Sequence, residues 1–128
     1  MSFTNDLETE LLDHVFGGNA ITSPSTLYVS LHTGNPGETG STTSEVSGGG
    51  YARQTATFTV SGNTATTSAA IEFPTATASY GTVTHIGVHS TASGTSGFLA
   101  YAGLTNDKTI ATRAVFRLPA ADIDITLD

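Results

Sequence analysis

A change of hydrophobic period near residue 18 constrains this chain more than any other feature. Leu7, Leu11, Leu12, Val15 and Phe16 recur at helical spacing, so Thr4 to Phe16 reads as one amphipathic helix. Asn5 is the expected N-cap, with Glu8 three residues on completing a capping box, and Ser2 and Thr4 are rival caps. Asp6, Glu8 and Glu10 suit the positive end of the helix dipole. Gly17 is expected to supply the left-handed residue that ends the helix. From Thr26 to Asp128 the period changes to two, in short runs broken by Gly, Ser, Thr, Asn and Pro.

The strands follow from that alternation. Leu27, Val29 and Leu31 alternate with Tyr28, Ser30 and His32, which predicts a half-buried strand. Tyr51 to Val60 predicts a second strand, Ser61-Gly62-Asn63 a hairpin turn, and Thr64 to Phe73 the returning strand, ended by Pro74. Thr82 to Ser90 and Phe98 to Ala102 predict another hairpin, followed by a turn at Thr105-Asn106-Asp107-Lys108. Ala114 to Leu118 and Asp122 to Leu127 close the chain, with Ile123, Ile125 and Leu127 facing inward. The expected fold is mainly β: an antiparallel β-sandwich (jelly-roll-like) or barrel of about seven strands with one N-terminal α-helix. Residues 1–128 form a single β-domain, 1–18 being a helical arm and 26–128 the sandwich.

Composition narrows the function classes. Charged residues make up 12% of the chain, and Thr supplies much of the polar character, which suits a pleated surface. The formal charge of −7 with four basic residues leaves no Lys/Arg cluster to neutralise phosphates, so no nucleic acid is expected as a partner. An acidic surface also disfavours anionic lipid, no run reaches membrane-helix length, and no membrane partner is expected. The absence of cysteine excludes disulfides and thiolate metal sites. The acidic N-terminus does not read as a signal peptide.

No catalytic, metal or cofactor site emerges. His85 and His89 lie on one strand with Cα atoms roughly 13 Å apart, too far for one ion with ligand bonds near 2 Å. His32 across the sheet from His85 is a possible but unsupported pair. Asp122 and Asp124 share a strand face but read as solvated carboxylates guarding an edge. No nucleophile elbow supports a Ser–His–Asp triad. Gly48-Gly49-Gly50 is not followed by a helix or a Gly-Lys-Ser/Thr and reads as a flexible hinge. It ends a polar loop, Thr33 to Gly50, long enough to be functional or to order only on assembly. The helix stripe has two readings, packing on the domain's own core or docking on a neighbouring subunit.

Five stretches carry a resemblance. They are Leu11-Leu12-Asp13-His14-Val15-Phe16-Gly17-Gly18, Thr26-Leu27-Tyr28-Val29-Ser30-Leu31, Ser47-Gly48-Gly49-Gly50-Tyr51-Ala52-Arg53, Phe73-Pro74-Thr75-Ala76-Thr77-Ala78 and Gly81-Thr82-Val83-Thr84-His85-Ile86-Gly87. In this order they resemble a group of small tailed-bacteriophage structural proteins, often labelled tail-fibre-like. The resemblance implies a virion component and no enzymatic residue. The chain departs from that group at Ile110-Ala111-Thr112-Arg113, where a Gly-Asp-like turn is usual.

The first expectation is therefore a capsid decoration, or cement, protein. It would be made in the host bacterial cytoplasm and bound to the capsid surface in the virion. Its expected partners are the major capsid protein or other virion proteins, and it is expected to be a homo-oligomer, with a trimer favoured. The contacts are expected from Leu7, Leu11, Leu12 and Phe16 and from Gly48, Gly49 and Gly50. The alternative is a tail-associated part: a tail fibre, baseplate or tail accessory. A third reading is a carbohydrate-binding sandwich with stacking faces from Tyr28, Tyr51, Tyr80 and Tyr101. Enzyme activity is not expected, nor is any cofactor.

Overall fold

The structure is a computed structural model that describes residues 1–127. Its elements run β1 (Ser2–Phe3), α1 (Asn5–Phe16), β2 (Leu27–His32), β3 (Gln54–Ala56), β4 (Phe58–Ser61), β5 (Thr64–Thr67), β6 (Ile71–Glu72), β7 (Gly81–His89), β8 (Phe98–Ile110), β9 (Arg117–Leu118) and β10 (Asp124–Thr126). All pairings are antiparallel. A five-stranded sheet has the order β1-β8-β7-β2-β3, a three-stranded sheet the order β10-β5-β4, and β6 pairs with β9. The sheets are open and separate, so the sandwich reading holds and the barrel does not.

Among the described residues, ten strands replace the expected seven because two predicted strands each divide between sheets and Ser2–Phe3 adds a short strand before the helix. Tyr51 to Val60 becomes β3 and β4, which break at Thr57 and join different sheets. Thr64 to Phe73 becomes β5 and β6 across Ser68–Ala70. Both crossings occur at one place: Thr57 Oγ1 and Ser68 Oγ lie 2.7 Å apart, and the Ser68 N–H donates to the Thr57 carbonyl. Leaving one sheet for another lets a single stretch of chain cover two sides of the core. The hairpin around Gly62 forms as expected, with Ser61 opposite Thr64 and Gly62 at φ 61°.

The expected turn at Thr105–Lys108 lies inside β8 instead. From His85 to Val83 the partner strand advances two residues, while β8 advances five, from Gly103 to Lys108. Residues 104–107 are therefore a wide bulge that bows out without ending the strand. The turn after Ile110 forms without glycine: Arg113 takes the left-handed φ of 73°, and Ala114 N–H donates to Ala111.

The core lies between the five-stranded sheet and the smaller ones. Val29, Leu31, Val83 and Ile86 meet Ile71, Phe73, Phe116, Leu118 and Ile123. Phe73 stacks on Tyr51 at 6.1 Å between ring centroids and meets Phe116 edge-on at 5.8 Å. At the C-terminal end Ile123 is buried and Ile125 half-buried, but Leu127 is 54% exposed, so the inward face ends earlier than the alternation suggests.

Candidate interaction surfaces

The helical arm is rooted firmly and then left bare. Thr4, not Asn5, is the N-cap: it has extended backbone (φ −80°, ψ 157°), and its hydroxyl accepts from Leu7 N–H at 3.5 Å. The same hydroxyl donates to the Phe98 carbonyl at 2.6 Å, and Thr4 is buried. This second bond decides the cap, because it ties the helix start to β8. The Thr4 N–H donates to Leu99 and the Asn5 N–H to Glu38. At the other end Gly17 keeps a right-handed φ of −89°, and Gly18, at 77°, makes the left-handed reversal expected of Gly17. Asn19 returns from that reversal, its side-chain amide 3.0 Å from both Asp13 carboxylate oxygens.

Between these fixed ends α1 buries no residue. Leu7 and Leu11 are half-buried, while Leu12, Val15 and Phe16 are 61, 64 and 82% exposed. The reading in which the stripe packs on the domain's own core is thus corrected: the outer part of the stripe has no cover in the chain. A twelve-residue helix is marginal without packing on its apolar face.

The 33–50 loop departs from the expectation that it orders only on assembly. It folds back along β2, with a bridge between His32 and Glu45 and bonds from Thr33 N–H to Ser44 and from Val46 N–H to Leu31. Gly48-Gly49-Gly50 is a fixed turn and not a hinge. Tyr51 N–H donates to Gly48, and Gly49 and Gly50 have φ of 61° and 79°, the signature of a type I′ turn. A Cβ on Gly49 would sit 2.6 Å from the Ala78 carbonyl oxygen, so chain geometry demands glycine there. The other two glycines are exposed. The triple glycine thus rests on residues 77–78, and the helix is rooted on β8 and Glu38.

The loop covers a polar cluster that sequence reasoning missed. Ser30, His32 and His89 are fully buried, so β2 is covered on both faces where one solvated face was expected. Ser30 Oγ lies 2.8 Å from Nε2 of both His32 and His89. A hydroxyl has one proton to give, so at least one ring must donate its Nε2–H. The rings are parallel within 8° at 6.4 Å, and Phe98 packs against both. Gly87 makes room, since a Cβ there would lie 2.7 Å from Ser30 Oγ and 2.8 Å from Phe98. The Nδ1 atoms of both rings have no partner. Burial, first, and the Arg53 charge hold His32 down to about 4 and His89 to about 3, against the pull of Glu45.

Arg53 locks this arrangement. Its guanidinium binds Glu45 through two bonds of 2.8 and 2.7 Å and donates to the carbonyls of Thr91 and Gly94. Glu45 also accepts from the Tyr51 hydroxyl, which accepts in turn from Leu31 N–H. Burial would raise the Glu45 carboxyl, but the Arg53 and Tyr51 contacts outweigh it and hold it below the usual range. The sequence signal was a lone arginine within an otherwise uncharged run, 47–56.

The other candidates divide similarly. His85 faces His32 in register, yet His32 turns to Ser30 and His85 Nδ1 lies by Thr84 Oγ1 at 2.8 Å. Among the described residues no three His, Asp or Glu side chains converge on a point that could hold a metal. Asp124 accepts from Thr66 Oγ1 at 2.6 Å, and with Asp122 it lines a cleft of about 400 Å3 between the β8 bulge and β9–β10. Of the four tyrosines, Tyr51 and Tyr80 pack edge to face at 5.8 Å within the core, which removes two of the proposed stacking faces, while Tyr28 and Tyr101 stay half-exposed. No helix among the described residues is long and apolar enough to cross a membrane.

What remains is a sandwich whose polar interior is spent on bracing loops, with an apolar arm held out from it. No curated protein matches the chain. A comparison with protein families matches residues 2–126, from the first strand through the last, to a family of structural proteins of tailed phages. The chain belongs to that family, described as podophage GP4 fiber I protein gp80.

Proposed function

We propose that this chain is a structural component of the phage tail fibre, working by docking and not by chemistry. The family match over residues 2–126 carries the reading, because that family is described as a fibre protein. It favours the tail-associated alternative over the capsid decoration expected first. The architecture supports it in a second way. Arg53 ties two separate loops together, the 33–50 loop through Glu45 and the β7–β8 loop through Thr91 and Gly94, while α1 offers Leu12, Val15 and Phe16 to whatever adjoins it. A rigid body with one apolar arm suits a part that is assembled. The partners are other virion proteins.

Copy number and position test this. Quantitative mass spectrometry of purified particles should find a few to a few dozen chains per virion, and labelling of the chain should decorate the tail in electron micrographs. Hundreds of copies spread over the shell would return the decoration reading.

A further inference from the structure

The buried histidine pair lies where the loop that covers it meets the root of the helical arm. Phe98 packs on His89 and His32, at 4.2 and 5.8 Å between ring centroids. Its carbonyl accepts the Thr4 hydroxyl bond that roots α1. The 33–50 loop reaches the same place from another side. A Cβ on Gly40 would lie 2.9 Å from Phe98, and the Glu38 carbonyl accepts from the N–H of Asn5, the first residue of α1. The rings, the loop and the helix root therefore share one small set of contacts around Phe98. The pair is also poorly equipped to take up a proton. Ser30 Oγ serves both Nε2 atoms, and neither Nδ1 has a partner. A charged ring would hold an N–H at Nδ1 that is sealed from water and has no acceptor, which is costly.

We infer that this pair is an acid-operated latch: protonation of His32 or His89 lifts residues 33–45 off the sheet and frees the root of α1 with them. The sheet side is the stronger one, since β2 and β7 pair at both histidines, Tyr28 opposite His89 and His32 opposite His85. The cover is held by less: the Thr33–Ser44 bond, the His32–Glu45 bridge and the Arg53–Glu45 ion pair. The charged groups facing the rings pull in both directions. Glu45, on the cover, attracts the added proton, while Arg53 before β3 opposes it at both rings and His85 on β7 opposes it at His32. Burial outweighs all three. Glu45 itself is held below the usual carboxylate range, so its pair with Arg53 persists in mild acid and keeps the latch closed above it. Once open, each ring meets water and titrates near its ordinary 6.5. The open form then gains up to about tenfold per ring for each pH unit below that. Losing the Phe98 and Glu38 contacts changes the direction in which α1 offers Leu12 and Phe16.

The latch is read on the purified chain, so it stands or falls independently of whether the particle carries the chain on tail or shell. Amide exchange of the wild type, followed residue by residue by NMR and corrected for the pH dependence of exchange itself, reports it directly. Between pH 7 and 5 the amides of Thr33, Thr4 and Asn5, bonded to Ser44, Leu99 and Glu38, should lose protection by at least about tenfold. Phe73 and Thr67, bonded across the core to Phe116 and Ile123, should remain the slower set throughout. His32→Gln and His89→Gln keep a nitrogen for Ser30 but no titrating group. Each should roughly halve the acid response on a logarithmic scale, and the double variant should abolish it. One common protection for both sets of amides at pH 5 would show that only global unfolding answers acid, and would overturn the inference. So would a cover that opens while Thr4 and Asn5 keep their protection, or an acid response that survives in the double variant.

Discussion

Gly49 and Gly87 tolerate no side chain, for different reasons. Gly49 has a φ of 61° and abuts the Ala78 backbone, which is pinned there by the bond from Thr77 N–H to the Gly49 carbonyl. Gly49→Ala should lower stability by about 2 kcal/mol or more, whereas Gly48→Ala, with open space at φ 74°, pays only for the backbone, about 1 kcal/mol. Urea titrations that rank the two equally would contradict the close approach. Arg53 is the other residue whose loss is specific. Arg53→Met leaves Glu45 half-buried and without its cation, and should cost about 3–5 kcal/mol. The double variant with Glu45→Gln should recover part of that loss, which a double-mutant cycle measures.

At the scale of elements, the outer part of α1 stays uncovered, one of its two readings, while β8 runs on through an expected turn. The helix was legible in its period and its acidic first turns, with each cap displaced by one residue from its expected place, but a period cannot say what an apolar face meets. The chain gives most of that face nothing to meet, and Leu12→Ser with Phe16→Ser should therefore change stability by no more than about 0.5 kcal/mol. Thr4→Ala should cost more, about 1–2 kcal/mol, since it removes both the cap and the buried bond to Phe98. Thermal melts of the two variants should separate clearly. In β8, Thr105-Asn106-Asp107-Lys108 has the composition of a turn, yet pairing with β7 on either side carries the strand past it. Local propensity was overruled by a ladder that resumes at Lys108.

Across the whole molecule, acid is the condition that tests the interior. His32 and His89 are held neutral, at about 4 and 3, against an ordinary 6.5. Unfolded, both rings would take up protons below about 6.5, so the folded state is fully favoured above that pH. Stability should fall as pH drops from 6.5 toward 4, by up to about 1.4 kcal/mol per pH unit for each ring. Glu45, depressed by Arg53, adds a further loss at lower pH as its carboxylate is protonated. Denaturation midpoints that stay flat from pH 7 to 4 would show that the rings are not buried neutral.

The amino-acid sequence by itself determined the class of the molecule: an acidic, cysteine-free, mainly β chain with one helix, and a segment order shared with phage structural proteins. Period and turn chemistry are local, and locality is enough for those conclusions. Only the tertiary structure decided that Tyr51 to Val60 changes sheets, that the 33–50 loop seals a histidine pair, and that the helix stays uncovered. Each of these depends on contacts between residues far apart in the chain, such as Arg53 with Gly94 or Ser30 with His89. A polar residue on an alternating strand reads as solvated until another segment folds over it, and nothing in its own neighbourhood announces that cover.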